Sequence, residues 1–141
     1  MPERAPWLHE LPHRVPFVLV DRVTAFDGRT ARFLKGVTRN DALLEGWPVM
    51  PPTLILEAMA QAAGILAVGA EHRSELLLLV AADDVSFHAP VRCGEQLALE
   101  VTLERVRPPF YVVSARALVG AEMRAEGRLT LAREPAQRPA Q

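Results

Sequence analysis

The stretch that decides the fold is Pro51-Pro52-Thr53-Leu54-Ile55-Leu56-Glu57-Ala58-Met59-Ala60-Gln61-Ala62-Ala63-Gly64-Ile65-Leu66-Ala67-Val68-Gly69-Ala70. Leu54, Ala58, Ala62, Ile65 and Leu66 recur at helical spacing. The prolines sit where a first helical turn tolerates them, so one helix is expected from Thr53 to about Ala70. Its Ala58, Ala62 and Gly69 make a face of small side chains, which lets a sheet wrap closely around it.

Working outward, every other segment reads as strand or turn. Pro16 to Phe26 is apolar and β-branched, Asp27-Gly28 is a turn, and Thr30 to Thr38 is the return strand. A short polar stretch, Arg39 to Gly46, leads through Trp47-Pro48-Val49-Met50 to the helix. Beyond it, Leu76 to Ala82 is a continuous apolar run. In Gln96 to Arg105 the residues Leu97, Leu99, Val101 and Leu103 alternate with Glu100, Thr102 and Glu104. Tyr111 to Val119 and Met123 to Ala132 follow, separated at Gly120. Two strands, one long helix and about four strands predict an α+β domain, an antiparallel sheet packed on a single helix. One helix does not cover a wide sheet, so pairing through an edge strand, giving at least a dimer, is expected.

At 141 residues and 50% hydrophobic, the chain reads as one domain with a real core, ordered from about residue 11 to 132 between flexible termini. A net charge of -1 offers no electrostatic case for nucleic acid or an anionic membrane surface. The single cysteine, Cys93, excludes an internal disulfide and a multi-cysteine zinc site. Met1 to His9 lacks the pattern of a signal peptide, and no stretch of ~18 apolar residues is found, so a soluble cytoplasmic protein without a membrane span is expected.

Three segments carry a family resemblance. Leu11-Pro12-His13-Arg14-Val15-Pro16-Phe17-Val18-Leu19-Val20-Asp21-Arg22-Val23 resembles the opening of the bacterial (3R)-3-hydroxyacyl-ACP dehydratases of fatty acid synthesis. Pro48-Val49-Met50-Pro51 followed by Leu54 to Gly64 is similar to that family's central helix. Phe87-His88-Ala89-Pro90-Val91 with Gly94-Glu95-Gln96-Leu97 is similar to its next strand and turn. The resemblance runs from about Leu11 to Ala132. It implies the hotdog fold, an antiparallel sheet wrapped around one long helix with a site at the dimer interface. It also implies acyl carrier protein as partner, a substrate carried on phosphopantetheine, and no cofactor of the enzyme's own.

Loss of water across C2–C3 of a thioester needs a base for the C2 proton, an acid for the departing 3-hydroxyl and a donor for the thioester carbonyl. By the resemblance these are a histidine, a helix carboxylate and a backbone N–H at the helix N-terminus. Glu57 matches the carboxylate. From the residues alone it is equally a carboxylate that favours a helix N-terminal dipole or one on a solvent-facing turn. Gln61 lies one turn on, either orienting Glu57 or the thioester or simply packing as a buried amide. Trp47, Met50 and Thr53 are the remaining substrate-binding candidates.

Two departures stand out. The family pattern G-H-F-P-G-x-P-V-M-P-G is here Gly46-Trp47-Pro48-Val49-Met50-Pro51-Pro52, with one residue before Pro48 where the family has five. The histidine is deleted with its loop, and indole nitrogen accepts no proton. The family glycine after V-M-P is Pro52, which has no N–H, leaving Thr53 as the nearest substitute. His13, inside the family-like opening motif, is the candidate replacement base, against a structural role bracing the first strand. His88 reads as a surface residue, His9 and His72 as loop residues, and Cys93 as an inert thiol. No pair has metal-ligand spacing, so no metal is expected.

Three functions follow from the resemblance. The first is a dehydratase-like protein acting on 3-hydroxyacyl thioesters of acyl carrier protein, in fatty acid or in polyketide or aryl-polyene synthesis, whose shortened-loop members look similar. The second is a non-catalytic acyl-thioester binder, or a heterodimer partner of a complete-motif dehydratase. The third is a hotdog acyl thioesterase using Glu57.

Overall fold

A computed structural model of the chain describes residues 18–71 and 77–134. Strand β1 (Arg22–Phe26) and strand β2 (Thr30–Gly36) form a hairpin, and a 3-10 turn covers Ala42–Leu44. The long helix α1 (Pro52–Glu71) follows, then β3 (Leu77–Phe87), β4 (Gln96–Arg107), β5 (Phe110–Val119) and β6 (Glu122–Arg133). The order of two strands, one helix and four strands is the expected one. All strands pair antiparallel in a single six-stranded sheet ordered β1-β2-β4-β5-β6-β3. The expected flexible ends fall mostly outside the described residues.

The strand expected from Pro16 is shorter than its composition suggests. In its described part, Val18 to Val20 lies outside the sheet and pairing begins at Arg22. The reason is a competing partner: the Leu19 N–H donates to the Gln61 side chain on α1 at 2.8 Å rather than to a neighbouring strand. Leu19 and Val20 are buried against the helix instead. The turn is as expected, with Gly28 at φ +91° and Asp27 Oδ1 accepting from the N–H groups of Arg29 and Thr30 at 2.8 and 2.6 Å.

The core lies between α1 and the concave side of the sheet. Ala58, Met59, Ala62, Ala63 and Leu66 of the helix meet Phe33, Leu97, Leu99, Val113, Ala117 and Leu129 of the strands, all fully buried. The small face of Ala58, Ala62 and Gly69 is buried as its residue sizes require. One expectation needs correcting. Pro52–Gly69 has a mean hydropathy of 1.4 and is long and apolar enough to cross a membrane. Here it is a core helix, its apolar character matched by the sheet wrapped around it.

Two ionic contacts fasten the segments that lead into α1. Lys35, the only lysine, is buried on β2 and donates to Asp41 Oδ2 at 2.7 Å. Asp41 also caps the 3-10 turn by accepting from the Leu43 N–H at 3.2 Å. On the other side, Arg124 of β6 donates to both carboxylate oxygens of Glu95, at 3.1 and 2.8 Å, and to the Pro90 carbonyl. The Arg124 guanidinium, helped by the Arg92 N–H, holds the Glu95 carboxyl below its ordinary value, and Glu95 raises Arg124 in return. The turn so fixed receives the Met50 N–H on the Val91 carbonyl at 2.8 Å, which sets where the helix begins.

Candidate active site

Glu57 lies in the second turn of α1 and is half-buried. Gln61, one turn further along and only 2% exposed, donates from Nε2 to Glu57 Oε1 at 3.2 Å. Its own Oε1 accepts from the Leu19 N–H at 2.8 Å. Gln61 is therefore not merely packed. It ties the carboxylate to the segment entering β1. A buried N–H stripped of its acceptor costs about 1–3 kcal/mol, so this amide also helps hold Leu19 in place.

The apolar cavity at the helix start is lined by Val49, Met50, Pro52, Ile55 and the segment Phe87 to Pro90, with a volume of about 240 Å³. Met50 is fully buried there. Glu57 is partly buried as expected, but it is not among the residues that line this cavity. Thr53 is exposed, and it is the first residue of α1 with an N–H, since Pro52 begins the helix. The N–H groups of a first helical turn have no partner within their own helix, which suits them to hold developing negative charge.

Trp47 stands apart from Met50. It is 57% exposed and lines a separate open groove with Arg39, Glu45, Arg92 and Cys93. The chain passes from Gly46, at φ +80°, through Trp47 and Pro48 straight to the Val49–Arg92 bridge. There is no length in this path for a further loop, and residues 42–56 contain no histidine.

His13 lies outside the described residues, as do His9 and His72. His88 is exposed, as expected of a surface residue, with Nε2 3.6 Å from Glu126. Cys93 is a free, partly exposed thiol. Among the described residues no three or more His, Cys, Asp or Glu side chains are grouped to hold a metal ion. Residue reading missed Leu19 and Arg124 as supports of this region. Besides nearby Glu122 at 3.2 Å, the partners through which Arg124 fixes the turn, Glu95 and Pro90, are distant in sequence.

Comparison with known proteins agrees with this architecture. The model of the FabA-like domain family matches residues 11–128. A 3-hydroxyacyl-[acyl-carrier-protein] dehydratase FabZ of Albidiferax ferrireducens is 44% identical over 89% of each chain. The protein of the same name from Lactococcus lactis subsp. cremoris is 39% identical over 89% of this chain and 90% of its own. Among solved structures, the dehydratase heterocomplex ApeI:P from Xenorhabdus doucetiae superposes with a TM-score of 0.81 at 22% identity, over 93% of this chain and 92% of that one. The E. coli PaaI protein of the phenylacetic acid degradation operon superposes at 0.66 with 15% identity, over 79% and 81%. These structural neighbours share the hotdog fold with this chain.

Proposed function

Because the chain belongs to the FabA-like domain family, we propose that it is a cytoplasmic protein acting in the dehydration of 3-hydroxyacyl groups borne on the phosphopantetheine of an acyl carrier protein, in fatty acid or polyketide/aryl-polyene synthesis. The observation that carries this reading is Glu57, a half-buried carboxylate on the core helix, oriented by Gln61. In the dehydration direction Glu57 gives its proton to the 3-hydroxyl, which leaves as water with the C3–O electron pair. The C2–H electron pair becomes the C2=C3 bond, and the C2 proton passes to an imidazole. The Thr53 N–H accepts the role of holding the thioester carbonyl, which Pro52 cannot fill. The enzyme itself contributes no cofactor in this scheme.

The imidazole comes from His13 or from a second chain. The direct path from Gly46 to Pro48 leaves no room for a histidine-bearing loop in this chain, and a second chain with the complete motif would bring one. In that reading the chain is a subunit that supplies Glu57 and pairs through β3, whose outer edge carries exposed Leu78, Leu79 and Val80. The named ApeI:P heterocomplex makes such a pairing a natural arrangement to test.

The test is hydration of crotonyl-ACP, read by mass spectrometry, with the chain alone, a complete-motif dehydratase alone and the two mixed. Gain of water that falls by a factor of about 10²–10⁴ in Glu57→Gln supports dehydratase chemistry. Activity of the mixture above that of the dehydratase alone, with none from the chain alone, assigns the imidazole to the partner. Release of free acid by the chain alone instead makes it a thioesterase, and a chain inactive alone that adds nothing to the dehydratase is left a binding protein.

A further inference from the structure

Arg124 of β6 is not among the residues that line the cavity at the helix start, yet it grips the segment beside that cavity at successive points. Its backbone carbonyl accepts from the His88 N–H at 2.7 Å and from the Ala89 N–H at 3.4 Å. Its guanidinium donates to the Pro90 carbonyl and to both carboxylate oxygens of Glu95. Glu95 Oε1 in turn accepts from the Arg92 N–H at 2.8 Å. The Arg124 side chain is only 11% exposed, so these charge-assisted bonds are shielded from water.

The gripped segment meets the site twice. Phe87 to Pro90 forms one wall of the apolar cavity. Just beyond, the Val91 carbonyl accepts from the Met50 N–H at 2.8 Å and Arg92 bridges to Val49, and the helix begins at Pro52 with Thr53 next. We infer that Arg124 is a positioning residue for the reaction: by clamping Pro90 and Glu95 it fixes where the Thr53 N–H stands relative to the cavity wall. A donor aimed at developing charge works only when held in place, and a misplacement of about 1 Å can cost about 10²-fold in rate. The clamp needs a guanidinium. A lysine brings the charge without the planar fork that meets Glu95 with two nitrogens while reaching Pro90. The catalytic half of this inference rests on the dehydratase reading; the clamp does not.

The experiment compares Arg124→Lys, Arg124→Gln and Arg128→Gln in the full-length protein, with rates taken per folded molecule. Arg128 lies on the same strand but is exposed and pairs with Asp84, so its variant controls for the loss of a β6 arginine. In whichever sample hydrates crotonyl-ACP, the chain alone or the mixture above the dehydratase alone, both Arg124 variants should lower kcat at least about tenfold with KM little changed. Arg128→Gln should leave kcat intact. By 15N–1H NMR the Met50 amide should exchange faster in both Arg124 variants, while Val101 and Val113 keep their protection. Arg124→Lys carries the comparison if Arg124→Gln does not fold. Wild-type kcat in Arg124→Lys would overturn the inference, as would a Met50 amide still protected as in wild type. Loss of stability without loss of kcat per folded molecule would reduce Arg124 to a structural residue. Absence of turnover in every wild-type sample would remove the dehydratase reading and the catalytic half with it, while the Met50 amide would still decide the clamp.

Discussion

The two edges of the sheet are built on opposite principles. β1 spans five residues, carries Arg22 and Thr24, and has a register shift between Val23 and Ala25. Shortness, polarity and irregular pairing are the usual protections of an edge strand. β3 spans 11 residues, and its first half exposes Leu78, Leu79 and Val80. It pairs only with β6 in the described chain, so a row of backbone donors and acceptors borders an apolar surface. The difference teaches that one edge ends the sheet and the other is fit to continue it, as the proposed dimer requires.

The largest test of that contrast is a charge placed on each edge. Val80→Lys should weaken self-association or partner association at least about 100-fold, because an ammonium group would have to be buried between strands. Thr24→Lys on β1 should leave association unchanged and cost stability only about 0.5–1.5 kcal/mol, the worth of the lost Thr24 hydroxyl bond to the Arg32 carbonyl. Sedimentation equilibrium at micromolar concentration reads both. A monomeric wild type, or a Val80→Lys protein that still associates, would break the comparison.

A smaller effect is expected where β3 is held to the sheet. A Cβ built on Gly127 of β6 would meet Val85 Cγ2 at 3.0 Å, beside the irregular pairing between Asp83 and Ser86. Asp84 there adopts φ +53°, so the backbone has little freedom to retreat. Gly127→Val should therefore cost about 1–3 kcal/mol in urea unfolding, with β3 losing amide protection before β1 does.

The smallest effect belongs to the closed edge and depends on pH. Asp27 is held below its ordinary value of 3.8, chiefly by the N–H groups of Thr30 and then Arg29, with the Thr30 hydroxyl adding a third bond. A carboxylate depressed by folding contributes stability above its unfolded value and loses it as the pH falls through the folded one. Amide protection of the β1–β2 hairpin should thus decline as the pH drops below about 3.8. The decline should be absent in Asp27→Asn and shared by no amide pairing β3 to β6. A uniform decline across the sheet would show that the turn has no role of its own.

Much of this architecture is legible from residue pattern. The α1 helix follows from the spacing of Leu54, Ala58, Ala62 and Ile65, and β4 from the alternation of Leu97, Leu99 and Val101, because each pattern reports a neighbouring surface of matching period. Glu57 was singled out by the family resemblance, since from the residues alone a carboxylate favouring the helix dipole or facing solvent was an equal reading. Its partial burial follows from helix position, while the walls of the cavity at the helix start come in part from a distant segment, Phe87 to Pro90. The strand expected from Pro16 was too long because β-branched composition cannot register a competing acceptor.

The sequence by itself determined the order of elements, the core face of the helix and the family. Each of these is a property of residue type and local spacing. Only the tertiary structure decided that Leu19 donates to Gln61 rather than to a strand, that Arg124 clamps the turn at Glu95, and which sheet edge stays open. Those are choices of partner between segments far apart along the chain. A hydrogen-bonding group has many partners of equal chemical merit, and only the packed fold brings one of them within 3 Å.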